Sequence, residues 1–384
     1  MASDFTNFSL TAFNALAPCF VNFGVTLTND NGAVFDNRAG AFLVNDGTIR
    51  NGLVSEVDND GTLTNFGGFV SFFDAILNNR GTLTNAGGAL LGVGGGVSAT
   101  NTGIINNAGS FLSEGRFRNQ ATLINFVGAL LLIDGGTFLN DVGATLTNSG
   151  NLSNNVVFTN FVGATLIDNG TLTNASTIRN GGVVDIRAGG VLTNFAGVFT
   201  HYTQLAGETI VNGTLNSVPP VQIQGGILSG AGTINGSVDN TGGTVRPGDA
   251  PGILTINGNY TQGSSQTLVI ELGGTAPGDF SVLDVSGLAT LDGTVDFTAV
   301  NGFTPGAGDD FTFLLFGEKS GDFSKIVFTN WTCPTGDTCT EVLGATTLSL
   351  VISASQTTST PEPSTLLLLG AGLVGLTWRR QSRK

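Results

Sequence analysis

The chain has 384 residues, of which 58 are Gly, 14 are basic and 28 are acidic. A formal charge of −14 leaves no basic surface for a phosphate backbone, which excludes a nucleic-acid partner. One His, one Met and three Cys provide no ligand set for a His-rich metal site, a zinc ribbon or an iron–sulfur cluster, so neither a metal nor a cofactor is expected.

Residues 1–23 are set apart as an N-terminal segment. Residues 10–23 are moderately apolar but broken by Asn14, Pro18 and Asn22, and no basic residue precedes Arg38. The stretch stands where an export signal is expected but lacks its charged start, as in a truncated or mis-started gene.

From residue 24 the sequence repeats. Gly-Thr-Leu-Thr-Asn occurs at 61–65, 81–85 and 170–174, with variants at 47–51, 144–148, 164–168, 176–180 and 190–194. Asn65 and Asn85, Asn140, Asn160 and Asn180, and Asn174 and Asn194 keep an interval of 20, with steps of 6 and 14 inside a unit. Short β-type words at this period, with no helical stretch, predict an all-β solenoid, a right-handed parallel β-helix over residues 24–260. Alternation within each word turns Leu63, Leu83, Leu146 and Leu172 inward and the flanking Thr outward. A single coil cannot bury its Leu, but stacked coils form an apolar column. Asn at the strand ends tolerates left-handed turns and can hydrogen-bond its equivalent one coil away, while Gly supplies positive φ at the corners.

β-Helices also host polysaccharide lyases and hydrolases, whose chemistry needs carboxylates gathered on neighbouring coils beside a base. Asp134, Asp141, Asp168 and Asp185, with Arg179 or Arg187, are the residues that could gather, but they share no phase in the repeat. Asp58-Asn59-Asp60-Gly61 resembles the start of a calcium loop without its distal Glu and reads as a turn. His201 has no Ser–Asp context and reads as a structural residue.

The wording changes near residue 225. Arg246-Pro-Gly-Asp-Ala-Pro-Gly-Ile-Leu-Thr-Ile256 and Gly258-Asn-Tyr-Thr-Gln262 resemble the passenger-associated segment of bacterial autotransporters. That resemblance implies a last set of coils closed by a β-sandwich-like cap, here residues 261–352, which covers otherwise unpaired strand edges. Within it, Cys333 and Cys339 are spaced for a small disulfide loop outside the cytoplasm, leaving Cys19 odd.

Residues 353–363 form a polar linker ending in Pro361-Glu362-Pro363. An uncharged apolar run with Leu366, Leu367, Leu368, Leu369, Leu373, Val374, Leu376 and Trp378 follows, then Arg379, Arg380, Arg383 and Lys384. Residues 364–384 are expected to be a single C-terminal transmembrane helix with a basic stop that holds its end in the cytoplasm. The order of Pro-Glu-Pro, apolar run and basic end resembles the PEP-CTERM sorting signal of Gram-negative bacteria. The resemblance implies export, transient residence in the inner membrane, cleavage by an exosortase-type membrane transpeptidase and transfer to the cell surface. It also implies an association with extracellular polysaccharide and biofilm. The expected function is a non-enzymatic adhesin or matrix component; the alternative is a β-helix polysaccharide lyase or hydrolase.

Overall fold

The computed structural model describes residues 5–7, 11–14, 19–197, 200–249 and 251–354. Every regular element there is a β-strand, most of them four residues long. A coil consists of three such strands. In the coil from Thr48–Asn51 through Glu56–Asn59 to Thr62–Asn65, the corners between strands are four and two residues long. A further two-residue corner leads to Gly68–Ser71 and completes the 20-residue period.

Each strand pairs in parallel with its equivalents one coil before and after, giving three faces. The first face includes Thr26–Asn29, Thr48–Asn51 and Gly68–Ser71; the second includes Val34–Asn37, Glu56–Asn59 and Ile76–Asn79. The third runs from Cys19–Val21 through Phe42–Asn45 and Thr62–Asn65 to Lys325–Thr329, fifteen strands in all. At about 4.8 Å per strand, the stack is about 70 Å long.

Each word alternates half-buried or exposed residues with buried ones, so the second and fourth positions point inward. Leu63, Leu83, Leu146 and Leu172 have no exposed surface. On the third face Leu63, Leu83, Ile105, Leu123, Leu146 and Leu166 form one in-register column. The second face builds its column from Phe117, Phe138 and Phe158, with successive ring centroids 5.0 and 5.4 Å apart. Most Thr of these words are half-buried between side chains of the adjacent coils, while Thr171 is exposed.

On the second and third faces the fourth position holds Asn in most coils, and it is fully buried. On the second face Asn37, Asn59, Asn79, Asn101, Asn119, Asn140, Asn160 and Asn180 form an unbroken chain. Each Nδ2 donates to the next Oδ1 at 2.6–2.9 Å. The last donates to Gln204 Oε1 at 2.7 Å. On the third face the chain runs from Asn45 through Asn65, Asn85, Asn107, Asn125 and Asn148 to Asp168, at 2.7–2.8 Å. The second N–H reaches a main-chain carbonyl beyond the next corner, as Asn59 does to Thr82 O at 3.1 Å. Irregular spacing in the sequence is absorbed at the corners. The rungs Asn101–Asn119 and Asn125–Asn148 are 18 and 23 residues apart yet in register.

Three expectations change. The ladder Asn do not make left-handed turns; positive φ falls on corner residues such as Asn31, Leu53 and Phe73. The Gly of the repeat word is required mainly for close approach, since a Cβ on Gly81 would lie 2.0 Å from Gly61 O. Within residues 1–23, the described strands Phe5–Asn7, Thr11–Asn14 and Cys19–Val21 belong to the solenoid, since they pair in parallel with the next coil.

Parallel stacking also continues beyond residue 260. Val282–Leu291 pairs with both Ile253–Ile256 and Tyr260–Gln262, so the first two faces fuse into one sheet. Opposite it lie Thr267–Leu272, Thr294–Ala299 and Lys325–Thr329. The sandwich-like cap is thus a flattening of the solenoid, filled by Phe rings such as Phe297 and Phe313 with centroids 4.9 Å apart. The antiparallel strands Thr338–Leu343 and Thr347–Ser353 then cover the edge of Asp310–Gly321.

Leu172→Ala should lower the unfolding free energy by about 2–5 kcal/mol as a core truncation. Asn119→Leu keeps the branched shape but leaves Asn101 without an acceptor and Asn140 without a donor, and should cost about 2–4 kcal/mol. Urea unfolding of both variants measures the two effects.

Candidate functional site

The outward positions of the second face differ from those of the other two. In coil order they carry Asp36, then Glu56 and Asp58, then Ile76 and Asn78, then Ser98 and Thr100. Arg116 and Arg118 follow, then Thr137 and Leu139, Thr159, Thr177 and Arg179, and His201 and Thr203. The third face is uncharged at these positions from Phe42 to Val183.

Three surface depressions lie on this second face or at its corners. One, of about 430 Å³, is lined by Arg118, Gln120, Asp141, Val142 and Phe161. There Arg118 Nε and Nη2 donate to Asp141 Oδ2 at 2.9 and 2.5 Å, and Gln120 Nε2 donates to the same oxygen at 2.9 Å. A second, of about 200 Å³, shares Arg118 and adds Arg116, Ser98 and Thr100. The third, of about 340 Å³, lies between His201, Thr203 and the Pro219–Pro220 corner, with Gln222 and Gln224. Arg118, Gln120 and Phe161 were not singled out as site residues from sequence. The available signal was Arg116-Phe117-Arg118-Asn119, which turns two cations outward from one strand.

The four carboxylates considered for catalysis are dispersed. Asp134 lies at a corner and accepts from Asn155 at 2.7 Å, Asp141 is held by Arg118, and Asp185 pairs with Arg187 at 2.8 Å on the third face. Arg179 stands outward on the second face, away from Asp185 and Arg187. Asp168 is inside, at the end of the third-face ladder. Asp58 and Asp60 both pair with Arg80, at 3.2 and 2.5 Å, while Asn59 between them is a ladder rung. His201 is exposed, because its neighbour Tyr202 occupies the inward place.

Asp168 occupies an Asn position. Its Oδ1 accepts from Asn148 Nδ2 at 2.7 Å, its Oδ2 is buried without a partner, and the next rung is Ile186. Burial raises its pKa from 3.8 to about 6, against the opposing hydrogen bonds from Asn148 and Gly170. In the cap, burial and the nearby Asp322 carboxylate push Glu341 up to about 7, with Lys319 opposing them. Cys333 and Cys339 are joined by a disulfide, with Cα atoms 5.9 Å apart.

The C-terminal region completes the functional picture by sequence alone. Residues 359–381 match the PEP-CTERM protein-sorting motif. The chain carries a PEP-CTERM sorting signal. The match takes in Pro361, Glu362, Pro363, the apolar run to Trp378, and Arg379 and Arg380; Arg383 and Lys384 follow it. A PEP-CTERM signal implies a secreted protein sorted to the cell surface and processed by exosortase, a membrane enzyme. All these residues, and with them the expected transmembrane helix over 364–384, lie outside the described residues. Among the described residues, no helix is long and apolar enough to cross a membrane. No curated protein is significantly similar to the chain.

Asp168 generates a pH prediction. Its folded pKa lies above the unfolded one, so the folded state keeps a proton that the unfolded chain releases above about pH 4. Stability should therefore fall by about 3 kcal/mol as pH rises from about 4 to 6, and level off above that. Asp168→Asn should remove this slope and stabilise the protein at pH 7, as read from urea midpoints across the range.

Proposed function

We propose that this chain is a non-catalytic structural or adhesive rod, exported, cut at its Pro-Glu-Pro signal and retained in the polysaccharide matrix at the cell surface. The observation that carries the reading is the PEP-CTERM signal on a solenoid whose bulk is repeated, sparsely charged coils. A parallel β-helix suits a stiff spacer, since every coil is fixed to its neighbours by main-chain and side-chain ladders. The disulfide in the cap is consistent with an oxidising location. Dispersal of Asp134, Asp141, Asp168 and Asp185 supports a binding or structural role over a lyase or hydrolase, which would need two of them across one sugar bond.

In this reading, the basic cluster Arg379, Arg380, Arg383 and Lys384 stops transfer and presents Pro361-Glu362-Pro363 to the exosortase outside the apolar helix. Moving one such Arg to the bilayer centre would cost about 2.5–3.5 kcal/mol on insertion scales. Cleavage near Pro361–Pro363 removes the helix and frees the rod, with 27 acidic and 10 basic side chains in residues 1–360.

Mass spectrometry of protein extracted from the cell surface should find a C-terminal peptide ending near residues 361–363. Deleting residues 361–384 should release the protein to the medium in place of membrane retention. A surface form whose C-terminal peptide still contains Trp378 would overturn processing and make the tail an ordinary anchor.

A further inference from the structure

The second face carries a cationic strip that the general reading does not explain. Between Asp58 and Asp239, no acidic side chain occupies an outward strand position on this face, while Arg116, Arg118 and Arg179 do. In a chain of net charge −14, such a strip is a local reversal of sign. Of the acids that border it, Glu114, Asp134 and Asp141 stand at corners, while Asp239, one rung beyond Gln222, accepts from Gln222 Nε2 at 3.0 Å. Asp141 is already engaged by Arg118 and Gln120, Asp134 is bonded to Asn155, and Glu114 precedes Arg116. Neither Arg116 nor Arg179 forms a salt bridge among the described residues.

The positions are ordered by the solenoid itself. Arg118, Leu139, Thr159 and Arg179 are consecutive in-register rungs, followed by Thr203 and Gln222. Three strand spacings separate the two Arg, about 14 Å. The intervening surface is uncharged, and Phe161 at its edge is 40% exposed. The depressions at Arg116–Arg118, at Asp141–Phe161 and at His201–Gln222 follow one another along this line.

We propose that this strip binds a carboxylate-bearing polysaccharide, a uronate-type chain laid along the solenoid axis. An extended pyranose chain advances by roughly one strand spacing per sugar, about 4.8 Å, so successive coils can meet successive sugars. Guanidinium groups match carboxylates in a two-pronged geometry. Arg116 and Arg179 hold the carboxylates, Thr159, Thr203 and Gln222 meet hydroxyls, and Phe161 offers a ring face to the apolar side of a pyranose. The Arg118–Asp141 pair holds the middle of the groove in place. The inference rests on the matrix reading above and narrows it to one face and one charge class.

Affinity electrophoresis of the full-length chain in mild detergent tests it, in gels containing polygalacturonate, alginate, dextran or no polymer. Polygalacturonate or alginate should retard the protein and dextran should not. R116E/R179E should weaken the apparent affinity about tenfold or more, since each lost charge-assisted contact is worth a factor of that order. R50E/K325E, which makes the same change in net charge on the other faces, should leave it unchanged, and R116K/R179K should retain part of it. Equal weakening by both charge-reversed pairs would reduce the effect to net charge and overturn the site. Retardation by dextran that is insensitive to R116E/R179E would overturn this proposal and leave the matrix reading intact. Retardation by none of the polymers would overturn the carboxylated-glycan site and remove polysaccharide binding from the matrix reading as well.

Discussion

The buried carboxamide ladder is the interaction on which the rest of the solenoid depends. A primary amide in an apolar interior is costly unless its two N–H groups and its oxygen are satisfied. Here one N–H meets the next rung, the other meets a main-chain carbonyl beyond the corner, and the oxygen receives the previous rung. These partners are available only when adjacent coils are in register. A slipped coil would face an amide with Leu or Thr and strand several groups at once, so the ladder specifies register where apolar columns alone would tolerate sliding.

The ladder ends show the same rule. On the second face Asn180 hands over to Gln204, whose oxygen also receives Thr209 Oγ1, with Tyr202 Oη 2.7 Å from Thr209. On the third face Asp168 accepts the last bond through Oδ1 and is followed by Ile186, which leaves its Oδ2 buried without a partner. A carboxyl in that place shifts towards its neutral form, which is how a buried acid without a cation accommodates its surroundings.

The repeat architecture was legible because one word carries its whole specification: Leu for the interior, Thr for the surface, Asn for the rung and Gly for a corner too tight for Cβ. Less legible was the conformation of the corners, since Val54 and Asp74 take left-handed conformations where Gly32 and Gly96 serve in other coils. The fusion of two faces at Val282–Leu291 was hidden as well, because one long strand and two short ones present the same alternation. The cationic strip was the hardest to read. Arg118 and Arg179 are 61 positions apart in the chain, one more than three repeats, and the extra residue absorbed at an intervening corner sets them on one line. The sorting motif lies at the other extreme, since its order of residue types is its own signature.

Identical rungs also bear on how such a gene can change. A coil meets only its two neighbours, and the Leu and Asn it offers above are those it requires below. Removing 20 residues in phase, for instance from Asn65 to Asn85, rejoins rung to rung with the same bond. Removing 19 keeps register only where a corner takes up the odd residue, as the corners between Asn101 and Asn119 and between Asn125 and Asn148 do. Slippage between near-identical repeats in DNA therefore offers the lineage a ruler graduated in whole coils. Length can drift by duplication or loss while the C-terminal closure and the sorting signal beyond it are inherited untouched.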